Sequence, residues 1–328
     1  MAILVTGGAG YIGSHTVAEF IERGEDVIIL DNLQKGHAEA VLAPNFYQGD
    51  LRDSNLLDRI FAEHDIEAVI HFAADSLVGE SVSDPLKYYQ NNIASTLNLV
   101  TKMKEHGVNK IVFSSTAATY GEPRNNPIQE SDPTLPTNPY GETKLAIEKM
   151  LHWCDQAYGI HFVALRYFNA AGADPNGRIG EDHHPETHLI PLILQVALGQ
   201  RESITIFGQD YPTPDGTCVR DYVHVLDLAQ AHYLALNQLR KTQKSGIYNL
   251  GNGQGFSVSE VIEAARRVTG HLIPARLGER RAGDPAVLIA SSQLAQEELG
   301  WVPQWNRLEQ ILQTAWNWHK NHPQGFNK

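Results

Sequence analysis

Cysteine is scarce in this chain: Cys154 and Cys218 are the only two among 328 residues. Their separation matches no metal-ligand spacing, so no metal ion is expected, and reduced thiols in a cytosolic protein are the simple reading. Long apolar runs are also missing. Nothing approaches the ~20 consecutive apolar residues that a membrane helix requires. The opening Met1-Ala2-Ile3-Leu4-Val5 carries no basic cluster and gives way at once to Thr6-Gly7-Gly8. That pattern suits a strand better than a secretory signal, and a soluble, cytoplasmic protein is the expectation. Basic residues are outnumbered, 26 Lys and Arg against 38 Asp and Glu, giving a formal charge of −12. Such a field discourages association with nucleic acid or anionic membranes, so neither is expected as a partner. A nucleotide ligand would need arginines gathered locally against that charge. No internal repeat and no low-complexity tract is present.

What the chain does have is a regular alternation of short apolar runs and amphipathic stretches. Strands are predicted at Ala2–Val5, Asp26–Leu30, Asn45–Tyr47, Ala68–Phe72, Lys110–Ser114 and Phe162–Arg166. Helices are predicted between them at Tyr11–Arg23, Ser54–His64, Tyr88–His106 and Tyr140–Tyr158. Strand and helix taking turns over the first half imply a Rossmann-like, doubly wound parallel sheet with helices on both faces. After about Asn169 the composition shifts. The stretches Gly172–Thr187 and Gly208–Gly216 are rich in Gly, Pro and Asp, the former also in His, and read as loops framing a smaller α/β lobe. Its helices are predicted at Leu189–Leu198, Leu226–Leu239, Ser259–Val268 and Leu308–His319. A boundary near residue 170 follows, with a sheet domain over 1–170 and a ligand lobe over 171–328, parts of which are expected to return to the sheet.

The segment Thr6-Gly7-Gly8-Ala9-Gly10-Tyr11-Ile12-Gly13 joins the first strand to the first helix. Glycine permits the tight turn and lets amides approach a pyrophosphate, while the helix N-terminus turns its positive end toward the anion. The pattern gains meaning from its order: strand, glycines, helix, then an acidic residue closing the second strand. That residue is Asp31, followed by Asn32 and no arginine, which favours ribose hydroxyls over a 2′-phosphate and hence NAD over NADP. Asp50, after the third strand, has two readings: contact with an adenine amino group, or capping of the helix beside it.

Pro139-Tyr140-Gly141-Glu142-Thr143-Lys144 opens a helix, and the four-residue spacing sets Tyr140 and Lys144 on one face. A nearby ammonium is expected to lower the phenol toward neutrality, making Tyr140 a base for a sugar hydroxyl. Alone such a pair more often lines an ordinary amphipathic helix. It gains weight beside the polar strand end Ser114-Ser115-Thr116, where the hydroxyls of Ser115 and Thr116 could share a proton with Tyr140.

With these motifs the chain resembles the extended short-chain dehydrogenase/reductase superfamily over nearly its whole length, and most closely its UDP-glucose 4-epimerase family. Further stretches carry the likeness: Val69 to Ala74, Tyr88 to Asn92, Leu165 to Asn169, Asp215 to Val225, and Arg280-Arg281-Ala282-Gly283-Asp284. The resemblance implies NAD held by Gly7, Gly10, Tyr11, Ile12 and Gly13, with Asp31, Asn32, Asp50 and Leu51 at the adenosine end. Phe72, Ala73, Ala74 and Asn92 would continue the cradle, and Ser114, Tyr140, Lys144, Tyr167 and Phe168 would surround the nicotinamide end. It implies a UDP-sugar gripped by Asn169, Arg220, Arg281 and Asp284, with Phe207 near the uracil and Thr205, His188, Leu189 and Leu288 beside them. Tyr140 and Thr116 would meet the sugar. A homodimer through the helices Tyr88–His106 and Tyr140–Tyr158 is implied as well.

Three positions depart from the family pattern. Asp75-Ser76 stands where many members carry Leu-Lys, His188 replaces a frequent asparagine, and Leu288 at the sugar-pocket gate is neither bulky tyrosine nor a small residue. A 4,6-dehydratase on the same framework would need an acid and a base after Thr116, and Ala117-Ala118 supplies neither. An epimerase acting on UDP-uronate or UDP-N-acetylglucosamine, or a redox sensor that binds NAD without turnover, are the remaining alternatives.

Overall fold

The computed structural model describes residues 1–281 and 284–326, so Ala282 and Gly283 of the Arg280-to-Asp284 motif lie outside the described residues. The chain forms an α/β fold around a seven-stranded, all-parallel sheet. In chain order its first part runs β1 (Ala2–Thr6), α1 (Tyr11–Glu22), β2 (Val27–Asp31), β3 (Asn45–Gln48), α2 (Ser54–Glu63) and β4 (Ile66–His71). Then follow α3 (Val78–Ser83), α4 (Pro85–Tyr88), α5 (Ser95–Glu105), β5 (Lys110–Thr116), α6 (Pro139–Tyr158) and β6 (His161–Tyr167). Strands β1 and β2 are buried along their whole length, as uninterrupted Ala-Ile-Leu-Val and Val-Ile-Ile-Leu runs require when helices cover both faces. Val17 and Phe20 of α1 pack on one face. Leu57 and Ile60 of α2, Leu99 and Met103 of α5, and Ile147 and Leu151 of α6 pack on the other.

The smaller lobe contributes β7 (Asn169–Ala171), α7 (Leu189–Ala197), β8 (Ile204–Phe207), β9 (Val219–His224), α8 (Val225–Thr242) and β10 (Gly246–Leu250). It ends with β11 (Gly255–Ser257), α9 (Val258–Thr269), β12 (Ala275–Gly278), β13 (Val287–Leu288), α10 (Gln293–Leu299) and α11 (Leu308–Asn321). Helices α7, α9 and α11 share an apolar core that includes Ile193, Leu194, Val261, Ile262, Ile311 and Leu312. Strands β7, β9, β11 and β13 form one small sheet, and β8 pairs with β12. Among the described residues no helix is long and apolar enough to cross a membrane.

Three elements differ from the sequence reading. The single helix expected over Tyr88–His106 is instead α4, a π-helical turn at Tyr89–Ala94, and α5. The wider turn lets buried Asn92 reach two neighbours: its Nδ2 donates to the Asp75 carbonyl and the Thr143 hydroxyl, and its Oδ1 accepts from the Asp75 amide. Strand β5 runs two residues beyond Ser114 because Ser115 and Thr116 keep pairing with Arg166 and Tyr167 of β6. The seventh strand, β10, comes from the second half of the chain and pairs with β6. Its short Gly-Ile-Tyr-Asn-Leu run has too little pattern to stand out.

A buried polar network fastens α6 to the sheet. Arg166 of β6 forks onto Glu148 of α6 at 2.5 and 2.9 Å, and its Nη1 donates to the Tyr120 hydroxyl at 2.9 Å. Tyr120 in turn donates to Asn249 of β10 at 2.7 Å. Side chains of Arg166 and Glu148 are only 4% and 2% exposed, so either charge alone would be stranded away from water. Glu148→Ala should therefore lower stability by about 3–5 kcal/mol in denaturant titration. A loss below about 1 kcal/mol, the scale of an exposed pair, would contradict this placement.

Candidate active site

The sheet order runs β3-β2-β1-β4-β5-β6-β10, so connections leave β1 and β4 in opposite directions and a crevice opens between their carboxyl ends. A cleft of about 360 Å³ occupies that place. Its floor is the turn after β1. Gly7 has φ +76°, and a Cβ there would lie 2.6 Å from the Ala73 amide nitrogen. A Cβ on Gly13 would lie 2.1 Å from the Gly7 carbonyl oxygen. Only glycine fits either position, and the result is bare backbone facing the cleft. Gly10 provides no side-chain cap for α1, so the first amides of that helix remain free for an anion.

At the end of β2, buried Asp31 accepts the Ala9 amide at 3.0 Å and the Leu33 amide at 2.8 Å. Burial raises its pKa while these amides oppose the rise. Asn32, Asp50 and Leu51 line the same end. Asp53, not Asp50, caps α2 by accepting the Asn55 and Leu56 amides. The Asp50 carboxylate is held by Arg52 and Asn32, which bring its pKa down to about 2. Phe72, Ala73, Ala74, Tyr167 and Phe168 also line the cleft. Tyr11 does so too, its hydroxyl donating to the Gly172 carbonyl at 2.6 Å. Asn92 is absent from the wall, occupied beneath it by the Asp75 backbone and Thr143.

At the opposite end, Asn138 caps α6 by accepting the Gly141 amide, and Pro139 starts the helix. That fixes Tyr140 in the first turn and Lys144 one turn on. Lys144 Nζ donates to the Ser114 carbonyl at 2.7 Å and lies 5.9 Å from the Tyr140 ring centroid. Burial presses the ammonium down to about pKa 7, against the pull of Glu148. Tyr140 differs from expectation. Burial raises its phenol, while a hydrogen bond with Thr116 works the other way. The protein's own groups alone thus leave the phenol high. Ser115 requires a correction. Side chains alternate along β5, so Ser114 and Thr116 face the cleft while Ser115 faces α6, donating to Glu148 at 2.5 Å.

The expected ligand-binding residues fall into two groups. Asn169 and His188 line the cleft, with Asn169 Nδ2 donating to the Asp221 carbonyl at 2.9 Å. The others belong to the small lobe. Arg220 on β9 pairs with Asp284, and Leu288 on β13 is its register partner. The Arg281 guanidinium lies 4.1 Å above the Phe207 ring. Arg220, Asp284 and Arg281 all act electrostatically on Cys218, which joins them in one neighbourhood. Thr205 lies two residues before Phe207 on β8, and Leu189 is the first residue of α7.

Several features of the cleft escaped the sequence reading, which marks Asp75 and Ser76 only as departures from the family pattern and His188 as such a departure and a ligand contact. Lys35 Nζ donates to the His184 carbonyl at 2.9 Å. Asp75 is buried with Oδ2 lacking a hydrogen-bond partner, and it lines the cleft with Ser76. Glu181, His183, Glu186 and His188 converge at the cleft's edge. Burial opposes charge on the two imidazoles, yet Glu181 and Glu186 raise His183 to about 9 and His188 to about 10. The signal was present as Glu-x-His-x-x-Glu-x-His, running from the Gly172–Thr187 stretch set aside as a loop to His188 just beyond it.

Known proteins agree with this architecture. Residues 3–251 match the NAD dependent epimerase/dehydratase family. A UDP-glucose 4-epimerase of Halalkalibacterium halodurans is 68% identical over 100% of this chain and 98% of that protein. The Brucella ovis UDP-glucose 4-epimerase, solved in complex with NAD, is 46% identical with a TM-score of 0.94, covering 96% of this chain and 97% of its own. That of Bifidobacterium longum, solved with NAD+ and UDP, is 43% identical with a TM-score of 0.93, covering 99% and 100%.

The lowered Lys144 value has a stability consequence. From about 7, its value in the fold, up to its ordinary 10.5, the unfolded chain holds a proton that the folded chain lacks. Wild-type stability should therefore rise with pH across that window and be lost as pH falls to 7. Lys144→Met removes the dependence, so its advantage in urea midpoint over wild type should be largest near pH 7 and shrink toward about pH 10. A difference constant with pH would show that burial does not penalise the ammonium.

Proposed function

The chain belongs to the NAD-dependent epimerase/dehydratase family, and from that membership we propose that it interconverts UDP-glucose and UDP-galactose by inverting carbon 4. The observation that carries the reading is one cleft holding a glycine turn and Asp31 at one end and Tyr140, Thr116 and Lys144 at the other. NAD fits the first end on the chain's own terms. The turn presents bare backbone to the cleft because no Cβ fits at Gly7 or Gly13, and the Asp31 carboxylate, already fixed by two amides, offers its remaining lone pairs to ribose hydroxyls. NAD bound there supplies the acceptor and later the donor of the C4 hydride.

The chain's residues handle the proton. Tyr140 takes it from the sugar O4, with Thr116, close enough to pull the phenol down, as relay. Removing a proton from a phenol that burial holds high needs positive charge nearby. Lys144 on the same helix face, anchored on the Ser114 carbonyl, does not lower the phenol alone, and an oxidised nicotinamide beside it would add the rest. Tyr140 returns the proton once the 4-keto sugar has turned its other face. Arg220 and Arg281 suit the diphosphate, since guanidinium forks match phosphate oxygens. Phe207 suits the uracil and Asp284 the uridine ribose. In this reading Arg220 exchanges Asp284 for phosphate when the nucleotide arrives. A firm hold on the nucleotide beside a loosely held hexose lets the sugar turn without leaving.

Assembly and location complete the proposal. Leu97 on α5 and Trp153 and Tyr158 on α6 are exposed apolar side chains, which suit burial in a homodimer through those two helices. Both cysteines are free, as suits the cytoplasm.

Purified protein given UDP-galactose should form UDP-glucose with no added reductant. Bound NAD without interconversion would overturn the assignment. Tyr140→Phe should keep the cofactor and lose at least about 100-fold in turnover, the scale of a positioned proton donor; undiminished activity would remove Tyr140 from its role. Comparing UDP-galactose with UDP-N-acetylgalactosamine reads how much room Leu288 leaves at the sugar.

A further inference from the structure

Glu181, His183, Glu186 and His188 take no part in the chemistry above, and each aims one ligand atom at a common point, the four atoms lying within 4.8 Å of one another. His183 Nδ1 stands 3.3 Å from Glu181 Oε1 and 3.5 Å from Glu186 Oε2. His188 Nδ1 stands 2.7 Å from Glu181 Oε1 and 3.4 Å from Glu186 Oε1. Only the 2.7 Å contact is a good hydrogen bond. His183 Nδ1 is buried and has no hydrogen-bond partner. Glu186 is held rigidly, its Oε1 accepting the Thr187 and His188 amides at 2.7 and 2.8 Å, which leaves Oε2 for another partner.

These separations have a simple meaning. Ligands ~2.0–2.1 Å from a tetrahedral ion lie about 3.3–3.4 Å apart along each edge. With Oε2 as the Glu186 ligand, the His183 separations of 3.3 and 3.5 Å fall at or within about 0.1 Å of that value, and the 2.7 Å between His188 Nδ1 and Glu181 Oε1 would open by about 0.6 Å. Charge agrees with shape. The two carboxylates are 4% and 7% exposed, and burying both so close together is costly without compensating positive charge. Two imidazolium rings, which the raised values of His183 and His188 describe, neutralise the pair, and a divalent cation between two neutral imidazoles does so equally.

We propose that Glu181, His183, Glu186 and His188 form a tetrahedral site for a divalent transition metal, with zinc matching the two-nitrogen, two-oxygen donor set best. Four protein ligands leave no open position, which makes the ion structural. Three of the ligands line the cleft, so the ion would cinch segment 181–188 across its edge. Lys35 and His37 hold the same segment from the other side, through the His184 and Asp182 carbonyls. Metal on Nδ1 also fixes the His188 proton on Nε2, turning that cleft-lining imidazole into a hydrogen-bond donor.

The test uses the full-length protein, stripped with a chelator and then given zinc or cobalt(II) at micromolar free metal, read without any turnover assay. About one ion per chain by mass spectrometry and the intense visible bands of tetrahedral cobalt are expected. His183→Gln and Glu186→Gln should each weaken zinc binding by at least about 10-fold. No stoichiometric binding to wild type, weak octahedral cobalt bands, or undiminished binding in a folded variant would overturn the site. The cobalt spectrum of wild type decides the matter even where a variant fails to fold.

Discussion

Backbone presses on backbone at the carboxyl edge of the sheet, and the cleft owes its form to that contact. The turn after β1 lies so close to Ala73 and to the start of α1 that no side chain fits at Gly7 or Gly13. Because the sheet is parallel and its order reverses between β1 and β4, this edge is also where loops diverge and leave room for a ligand. The glycines do not create the crevice; topology does. They strip its floor to amides, which supply the partial positive charge that an acidic chain of net −12 otherwise lacks there.

At the far end, burial does the opposite work. It raises Tyr140 and lowers Lys144, so each side chain alone is pushed toward its neutral form. A site in this condition is sensitive to the next charge that enters. A cation arriving beside the phenol acts through a low-dielectric wall, where its influence is far larger than in water. Thr116 and the Ser114 carbonyl then determine geometry rather than charge, since they fix where the proton and the ammonium sit. Ser115, one residue away, belongs to a different system altogether, the Glu148–Arg166 network that holds α6 in register.

Much of this was legible from residue order. The apolar runs of β1, β2 and β4, the glycine turn and the Tyr140–Lys144 spacing each reflect a local requirement, and local requirements leave local marks. The Pro139 start of α6 is of the same kind, though its Asn138 cap showed only in the structure. What escaped depends on partners distant in sequence. The strand β10 has a weak pattern because its identity comes from pairing with β6. The π-helical turn at Tyr89–Ala94 is invisible to a 3.6-residue period, since its reason is Asn92 reaching Asp75 and Thr143. The convergence of Glu181, His183 and Glu186 on His188 was hidden for another reason. Their spacing fits no regular element, and only the folded loop brings the four atoms together.

The origin of β10 bears on how the two lobes can be treated. Strand β10 supplies an edge of the central sheet, and Leu228 and Leu236 of α8 pack into the same apolar core as Val17 and Phe20 of α1. A chain cut near residue 170 would leave β6 as an open edge and one face of the sheet wet. The two halves of the chain are therefore joined through one sheet and one core, and the second half cannot be exchanged like a cassette without carrying α8 and β10 along.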